Sequence, residues 1–231
     1  MDHPFFTSTE PLIKVIKSLP PIQQDACRHI FHVDRRSHQI AKAMAFDPFW
    51  LRVLRFAARM HDLSKFLPKY RPLFFDHPGK FSPQQAQRAR KHAQVSAVIV
   101  QKLWNEGNMP VDFAIVAPAI FMIAGHHWSF RESQSRYQAM LREGQFAHCA
   151  VTMPEPTKEI PLLGSRILKV ADYFEARTEK RHYLDYAAGE KPLTKYEAYG
   201  EVASGAYEEF DPEVVRVLEQ LLDQEPTEVC N

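Results

Sequence analysis

Met60-His61-Asp62-Leu63-Ser64-Lys65 brings an imidazole, a carboxylate and an ammonium together at the end of the apolar run Leu51-Val53-Leu54-Phe56-Ala57-Ala58. A neutral imidazole and a carboxylate are both good ligands for borderline divalent metals, and an adjacent pair on one backbone can serve two ions or bracket one. The dipeptide by itself is weak evidence, because neighbouring His and Asp arise often by chance. Other segments repeat the theme. His92 opens the helix-like run Ala93-Val95-Ala97-Val98-Ile99-Val100-Leu103, and His126-His127 closes the apolar stretch from Ala114 to Ala124. Asp172 is embedded in Ile167-Leu168-Lys169-Val170-Ala171-Asp172-Tyr173-Phe174. A buried unpaired carboxylate is costly, so Asp172 must be paired, hydrogen-bonded or bound to metal. Any single histidine here is more often a satisfied core residue; jointly they point to a metal centre.

The segments that carry these groups read as helices. The chain has only 8 glycines, β-branched alternation is scarce, and apolar residues recur at spacings of three and four. The pattern predicts helices over roughly 22-45, 48-64, 83-106, 111-125, 161-187, 194-207 and 211-224, with Asp211 as an N-cap and Pro212 at the first helical position. Ser129 to Gly144 is polar and Thr152 to Pro161 holds three prolines, which predicts an irregular insertion near 128-160 with one short helix around Arg136 to Arg142. The expected fold is therefore all-α, a bundle of about seven helices.

At 231 residues, 45% hydrophobic and 25% charged, the chain can bury a full core and fits one large domain. The net charge of +1 gives no general attraction to a DNA or RNA duplex or to an anionic membrane, so any affinity for phosphate must be local. Cys27, Cys149 and Cys230 form no CxxC pair and read as reduced thiols. No stretch has the length and hydrophobicity of a membrane span, and Met1-Asp2-His3-Pro4-Phe5-Phe6 does not read as an export signal. A cytoplasmic protein is the expectation.

In order and spacing these residues resemble the HD superfamily of metal-dependent phosphohydrolases, and within it the HD-GYP group of cyclic dinucleotide phosphodiesterases. His61-Asp62-Leu63-Ser64-Lys65 is similar to the family's His-Asp-Ile-Gly-Lys, and Pro78-Gly79-Lys80-Phe81-Ser82-Pro83 to the turn before the helix of the next histidine, here His92. His126-His127 matches the paired histidines. Ser165-Arg166-Ile167-Leu168-Lys169-Val170-Ala171-Asp172 resembles Ala-Arg-Ile-Leu-x-Val-Ala-Asp, followed by Glu175-Ala176 and by Arg181-His182-Tyr183 in place of Arg-Pro-Tyr. Phe210-Asp211-Pro212-Glu213-Val214-Val215 matches the closing Phe-Asp-Pro-x-Val-Val. The likeness covers residues 26 to 222. It divides the chain into an N-terminal extension, 1-25, whose first twenty residues are expected to pack against the domain, and an HD/HD-GYP-like phosphohydrolase domain, 26-231.

The resemblance implies that His29, His61, Asp62, His92, His126, His127 and Asp172 surround two or three divalent transition-metal ions, with Asp62 as the bridge. His29 shares a helical face with Val33 and Ile40 and has the family's distance to His61; His32, one turn on, is the alternative. Histidine and carboxylate ligation without thiolate suits iron or manganese, with zinc, cobalt or nickel compatible. Two close cations bring the pKa of a bridging water toward ~7, so that its hydroxide attacks, and clamp the phosphoryl oxygens. Asp62 and Lys65 are the expected catalytic residues, and Lys65 and Arg181 the expected substrate contacts. Trp128 and Phe130 are candidates to stack on a base, at ~1 to 3 kcal/mol per base.

The implied substrate is a cyclic dinucleotide or another small-molecule phosphate ester. Trp128-Ser129-Phe130-Arg131-Glu132 stands where the family continues toward a Gly-Tyr-Pro loop, Gly-Tyr-Pro occurs nowhere, and Ser64 replaces a glycine. These departures bear on the substrate and leave the ligand set whole. The competing readings are a catalytically silent nucleotide-binding regulatory module, a hydrolase of a different phosphate ester, and redox chemistry at a mixed-valent iron pair.

Overall fold

The computed structural model of the chain describes residues 21–74, 81–142, 159–179 and 191–225. The first twenty residues, the turn Pro78-Gly79-Lys80, residues 143–158 of the expected insertion, Arg181-His182-Tyr183, Cys149 and Cys230 lie outside the described residues. Within them the fold is all-α, as the periodicity predicts. In chain order the helices are α1 (Pro21–Ala43), α2 (Pro48–Met60), α3 (Pro83–Arg90), α4 (His92–Asn105), α5 (Phe113–Gly125), α6 (Phe130–Arg142), α7 (Ile160–Thr178), α8 (Lys195–Ser204) and α9 (Pro212–Gln224). A 3-10 turn, Leu63–Phe66, and a single helical turn, Arg71–Phe74, follow α2.

Local chemistry fixes where several of these begin. The Asp47 carboxylate accepts from the N–H groups of Phe49 and Trp50 with Pro48 in the first turn, and Asp211 accepts from Glu213 with Pro212 likewise. Ser82 with Gln85 and Thr194 with Glu197 form reciprocal capping boxes at α3 and α8.

Helix α5 is buried continuously from Val116 to Gly125, so it has no solvent face and must run through the centre. Helices α2, α4 and α7 pack on it, and α1 packs on α2 and α7. The α5–α7 crossing is close at Gly164, where a Cβ would lie 2.6 Å from Sδ and Cε of the fully buried Met122. The segments that follow α2 and α5 thus reach the same end of the bundle as the start of α4 and the Asp172 stretch of α7.

Four expectations are corrected. Helix α7 ends at Thr178, with Glu179 an extended C-cap, rather than running to residue 187. Helix α2 stops at Met60 rather than near residue 64, and His61 caps it. The run 83-106 is broken at Lys91, whose N–H turns back to Arg88 and Ala89. The insertion expected to be irregular from residue 128 begins with a full helix, α6, rather than one short helix near 136–142. The Ser129 hydroxyl accepts from the Glu132 N–H at its start, and Arg166 donates to the Ser133 hydroxyl at 3.0 Å. Tyr137 is wholly buried, its ring 5.7 Å from that of Phe121. Tyr137→Ala is therefore expected to cost about 3–5 kcal/mol, the range for deleting a buried aromatic. Urea unfolding measures this; a midpoint unchanged from wild type would mean that α6 does not contribute to the core.

Candidate metal centre

The chain leaves carbonyls without N–H partners at the C-terminal end of every helix. Histidine exploits this at α2 and α5. The Nδ1–H of His61 donates to the Ala58 carbonyl at 2.6 Å, and that of His126 donates to Ile123 at 2.6 Å. His92, at the break between α3 and α4, donates from Nδ1 to Ala89, also at 2.6 Å. One device, a ring bonded to the carbonyl three residues back, thus sets the tautomer of three histidines and turns each Nε2 inward.

The three inward nitrogens meet carboxylates and one another. Asp62 Oδ1 lies 2.9 Å from His92 Nε2, and Asp62 Oδ2 lies 3.4 Å from His61 Nε2. His127 Nε2 faces His92 Nε2 at 3.3 Å. From α1, His29 Nε2 reaches Asp172 Oδ1 on α7 at 2.8 Å, and Asp172 Oδ1 is 3.7 Å from His61 Nε2. His29, His61, Asp62, His92 and His126 are each no more than 3% exposed. Ligand atoms come within mutual reach of a metal ion in three overlapping sets: His29, His61 and Asp172; His61, Asp62 and His126; and His92, His126 and His127. The side chains expected to bind metal are thus brought together as a chain of sets that share His61 and His126.

His32 belongs to a different group, with Glu175 and Glu179, and its side chain is 42% exposed. It is His29 that stands beside His61 and Asp172.

Electrostatics fit a cationic centre. Burial works to raise Asp62 and Asp172, but neighbouring His61 and Lys65 at Asp62, and His29 and His61 at Asp172, overcome it and hold both well below the usual carboxylate range. Burial would likewise depress His61, yet Asp62 and Asp172 prevail and push it up to about 10. Burial, then His61 and His92, drop His126 to about 3, and burial with His126 holds His127 well below its ordinary value. The carboxylates draw a proton onto His61, while His126 and His127 stay neutral ligands.

The donor set fits divalent metal on a direct observation. His61 Nε2, His126 Nε2 and Asp62 Oδ1 are buried and have no hydrogen-bond partner among the described residues. Asp62 Oδ1 and His92 Nε2, both lone-pair atoms once His92 carries its proton on Nδ1, face each other at 2.9 Å. Buried acceptors that face acceptors cost free energy unless a cation lies between them.

Lys65 Nζ donates to Asp62 Oδ2 at 2.6 Å and stands 5.0 Å over the Phe74 ring. Ser64, the residue in place of glycine, is fully buried and its hydroxyl donates to the His92 carbonyl at 2.8 Å, while its N–H donates to Ser96 Oγ. It ties the 3-10 turn to α4. Trp128 is buried against Gly125, and Phe130 lies under the Arg166 guanidinium at 4.6 Å, so both rings are engaged within the protein. Sequence reasoning passes over Glu179, which accepts from Nδ1 of both His29 and His32. Its signal was available: Asp172, Glu175 and Glu179 follow at i, i+3 and i+7, one face of α7 continued into its cap.

No helix among the described residues is long and apolar enough to cross a membrane. No family model matches the chain. A curated relative, the cyclic di-GMP phosphodiesterase of Thermotoga maritima, is 27% identical over 230 residues, 97% of this chain and 53% of the relative. The chain thus spans about half the length of that protein, and the similarity, with a helical bundle holding histidine and aspartate groups able to bind metal, fits a phosphohydrolase of the HD type.

Proposed function

We propose that the chain is a metal-dependent phosphodiesterase acting on a cyclic dinucleotide or a related nucleotide, its working unit being the domain 26-231. The observation that carries this reading is the cluster of buried ligand atoms without partners, His61 Nε2, His126 Nε2 and Asp62 Oδ1, inside a ring of further histidine and aspartate side chains. The relative named a cyclic di-GMP phosphodiesterase supports the substrate class.

In this reading His29, His61, Asp62, His92, His126, His127 and Asp172 hold two or three divalent ions, iron or manganese suiting the ligands best. Bound there, such ions supply Lewis acidity, which makes water nucleophilic near neutral pH and draws off charge that builds on phosphoryl oxygens. Asp62 is central because its two oxygens face different histidines. The backbone-anchored histidines keep their Nε2 atoms aimed inward, so little reorganisation is needed when ligands bind. Lys65, 13% exposed at the rim and held on Asp62, offers an ammonium to a phosphate that enters beside it. Arg181 remains the proposed second phosphate contact through its guanidinium fork.

Lys65→Met is expected to retain metal and lower kcat/KM by about 10²- to 10³-fold, as for loss of one electrostatic stabiliser. Turnover equal to wild type would remove Lys65 from the mechanism. The test of the whole reading is metal content of anaerobically purified protein by plasma emission, with hydrolysis of bis(para-nitrophenyl) phosphate and a panel of cyclic dinucleotides. About two or more ions per chain with turnover supports it. Metal with no turnover favours a silent nucleotide binder or another phosphate ester, and absence of metal under every loading condition ends it.

A further inference from the structure

Three of the buried histidines anchor Nδ1 on a carbonyl three residues back in their own chain segment, because each stands at a helix end or break where the regular helical bonding of the carbonyls is interrupted. His29 has no such opportunity. It lies inside α1, where the carbonyls of the preceding turn are used by the helix itself, so its ring must be held from another element. That element is the end of α7. Glu179 caps α7, its N–H donates to the Glu175 carbonyl at 3.1 Å, and its Oε2 accepts from His29 Nδ1 at 2.9 Å. The other oxygen accepts from His32 Nδ1 at 2.7 Å, one helical turn further along α1. With both oxygens committed, and its side chain 14% exposed, the carboxylate cannot rotate away from His29 without breaking two bonds.

We propose that Glu179 is the positioning residue of His29: it fixes the ring tautomer and aims Nε2 at the ion bound with His61 and Asp172. This rests on the metal reading of the site. A carboxylate is a stronger acceptor than the carbonyls that hold the other three rings, and accepting from Nδ1 makes Nε2 a more basic ligand. Glu179 thereby singles out one end of the ligand chain for tighter binding. His32 serves as the brace that holds the second oxygen, which explains a half-exposed histidine directed at the same carboxylate.

The test is chelator competition for Mn(II) and the visible spectrum of the Co(II) form, on the full chain. The variants are Glu179→Ala, Glu179→Gln, His32→Ala, His29→Ala and the double variant of His29→Ala with Glu179→Ala. Glu179→Ala is expected to weaken one ion by about 10- to 100-fold and to alter the Co(II) bands. Glu179→Gln, which keeps one oxygen acceptor, falls between, and His32→Ala changes affinity by less than about 3-fold. The double variant should bind as weakly as His29→Ala, since a residue that acts only through His29 has nothing left to act on. Should Glu179→Ala fail to fold, Glu179→Gln still decides. Wild-type affinity and spectrum in the Glu179 variants, or additive losses in the double variant, overturn this inference while the metal reading stands; a wild type that takes up no ion overturns both.

Discussion

Asp62→Ala protein is expected to retain the helical fold, to purify with at least one ion fewer per chain, and to lose phosphodiester hydrolysis by at least about 10²- to 10³-fold. Asp62 touches both sides of the cluster. Oδ1 is 2.9 Å from His92 Nε2, while Oδ2 is 2.6 Å from Lys65 Nζ, 3.4 Å from His61 Nε2 and 3.9 Å from His29 Nε2. No other carboxylate among the described residues stands within 4 Å of three of these histidines, so its deletion uncouples the ligand sets rather than trimming one. His61→Ala should act similarly, because His61 is shared by two sets. Retention of fold is expected because both residues follow the last residue of α2, whose packing depends on Trp50, Val53, Leu54, Phe56, Ala57 and Ala58. Plasma emission with far-ultraviolet circular dichroism separates loss of metal from loss of fold. Full metal content in both variants, with native spectra, would end the ligand assignment.

How much of this was legible in the sequence differs by element. Helix α5 is plain because burial from Val116 to Gly125 demands an unbroken apolar run, and the Asp172 stretch of α7 because Ile167, Leu168, Val170, Ala171 and Phe174 give it a wide apolar face. Helix α9 is plain because Asp211 and Pro212 write its start. Helix α6 is not, since only Phe130, Tyr137 and the Met140-Leu141 pair mark an apolar stripe on a polar segment, and tertiary bonds from Arg166 and Glu209 hold it. A signal was nonetheless present: Ser129 with Glu132 has capping-box spacing. The break at Lys91 was hidden because Arg90, Lys91 and His92 are ordinary helix residues, and only the bond from the His92 ring to Ala89 reveals why the helix is interrupted there.

The same distinction applies to the site. The ligand-type residues were readable because a histidine or carboxylate inside an apolar run is conspicuous. The preference for His29 over His32 rests on its helical face and on the spacing to His61 that the resemblance supplies; what each ring meets was not readable from α1, where the two are one turn apart. The partners are carboxylates of α7, Asp172 for His29 Nε2 and Glu179 for His32. That pairing is set by how α1 crosses α7, a property of two helices that neither segment encodes by itself.

Stripping metal with a chelator is expected to lower the melting temperature by about 5–16 °C, reversibly on adding Mn(II) back. The size follows from linkage: an ion present at 100 to 1,000 times its Kd stabilises the native state by about 2.7 to 4.1 kcal/mol. For a domain of this length each kcal/mol shifts the midpoint by about 2–4 °C. The physical source is specific. Without an ion, His61 Nε2, His126 Nε2 and Asp62 Oδ1 are buried with no partner, and each such group costs about 1–3 kcal/mol. Part of that cost is already relieved in the metal-free protein, since the cluster draws a proton onto His61, which burial by itself would disfavour. The proton is a lesser substitute for a divalent cation because it serves one pair of atoms while an ion serves several. Asp62→Ala is the control, because it removes the carboxylate of the middle set and should weaken the dependence of the midpoint on added Mn(II). A wild-type midpoint unmoved by chelation and by metal would show that these atoms are stabilised some other way.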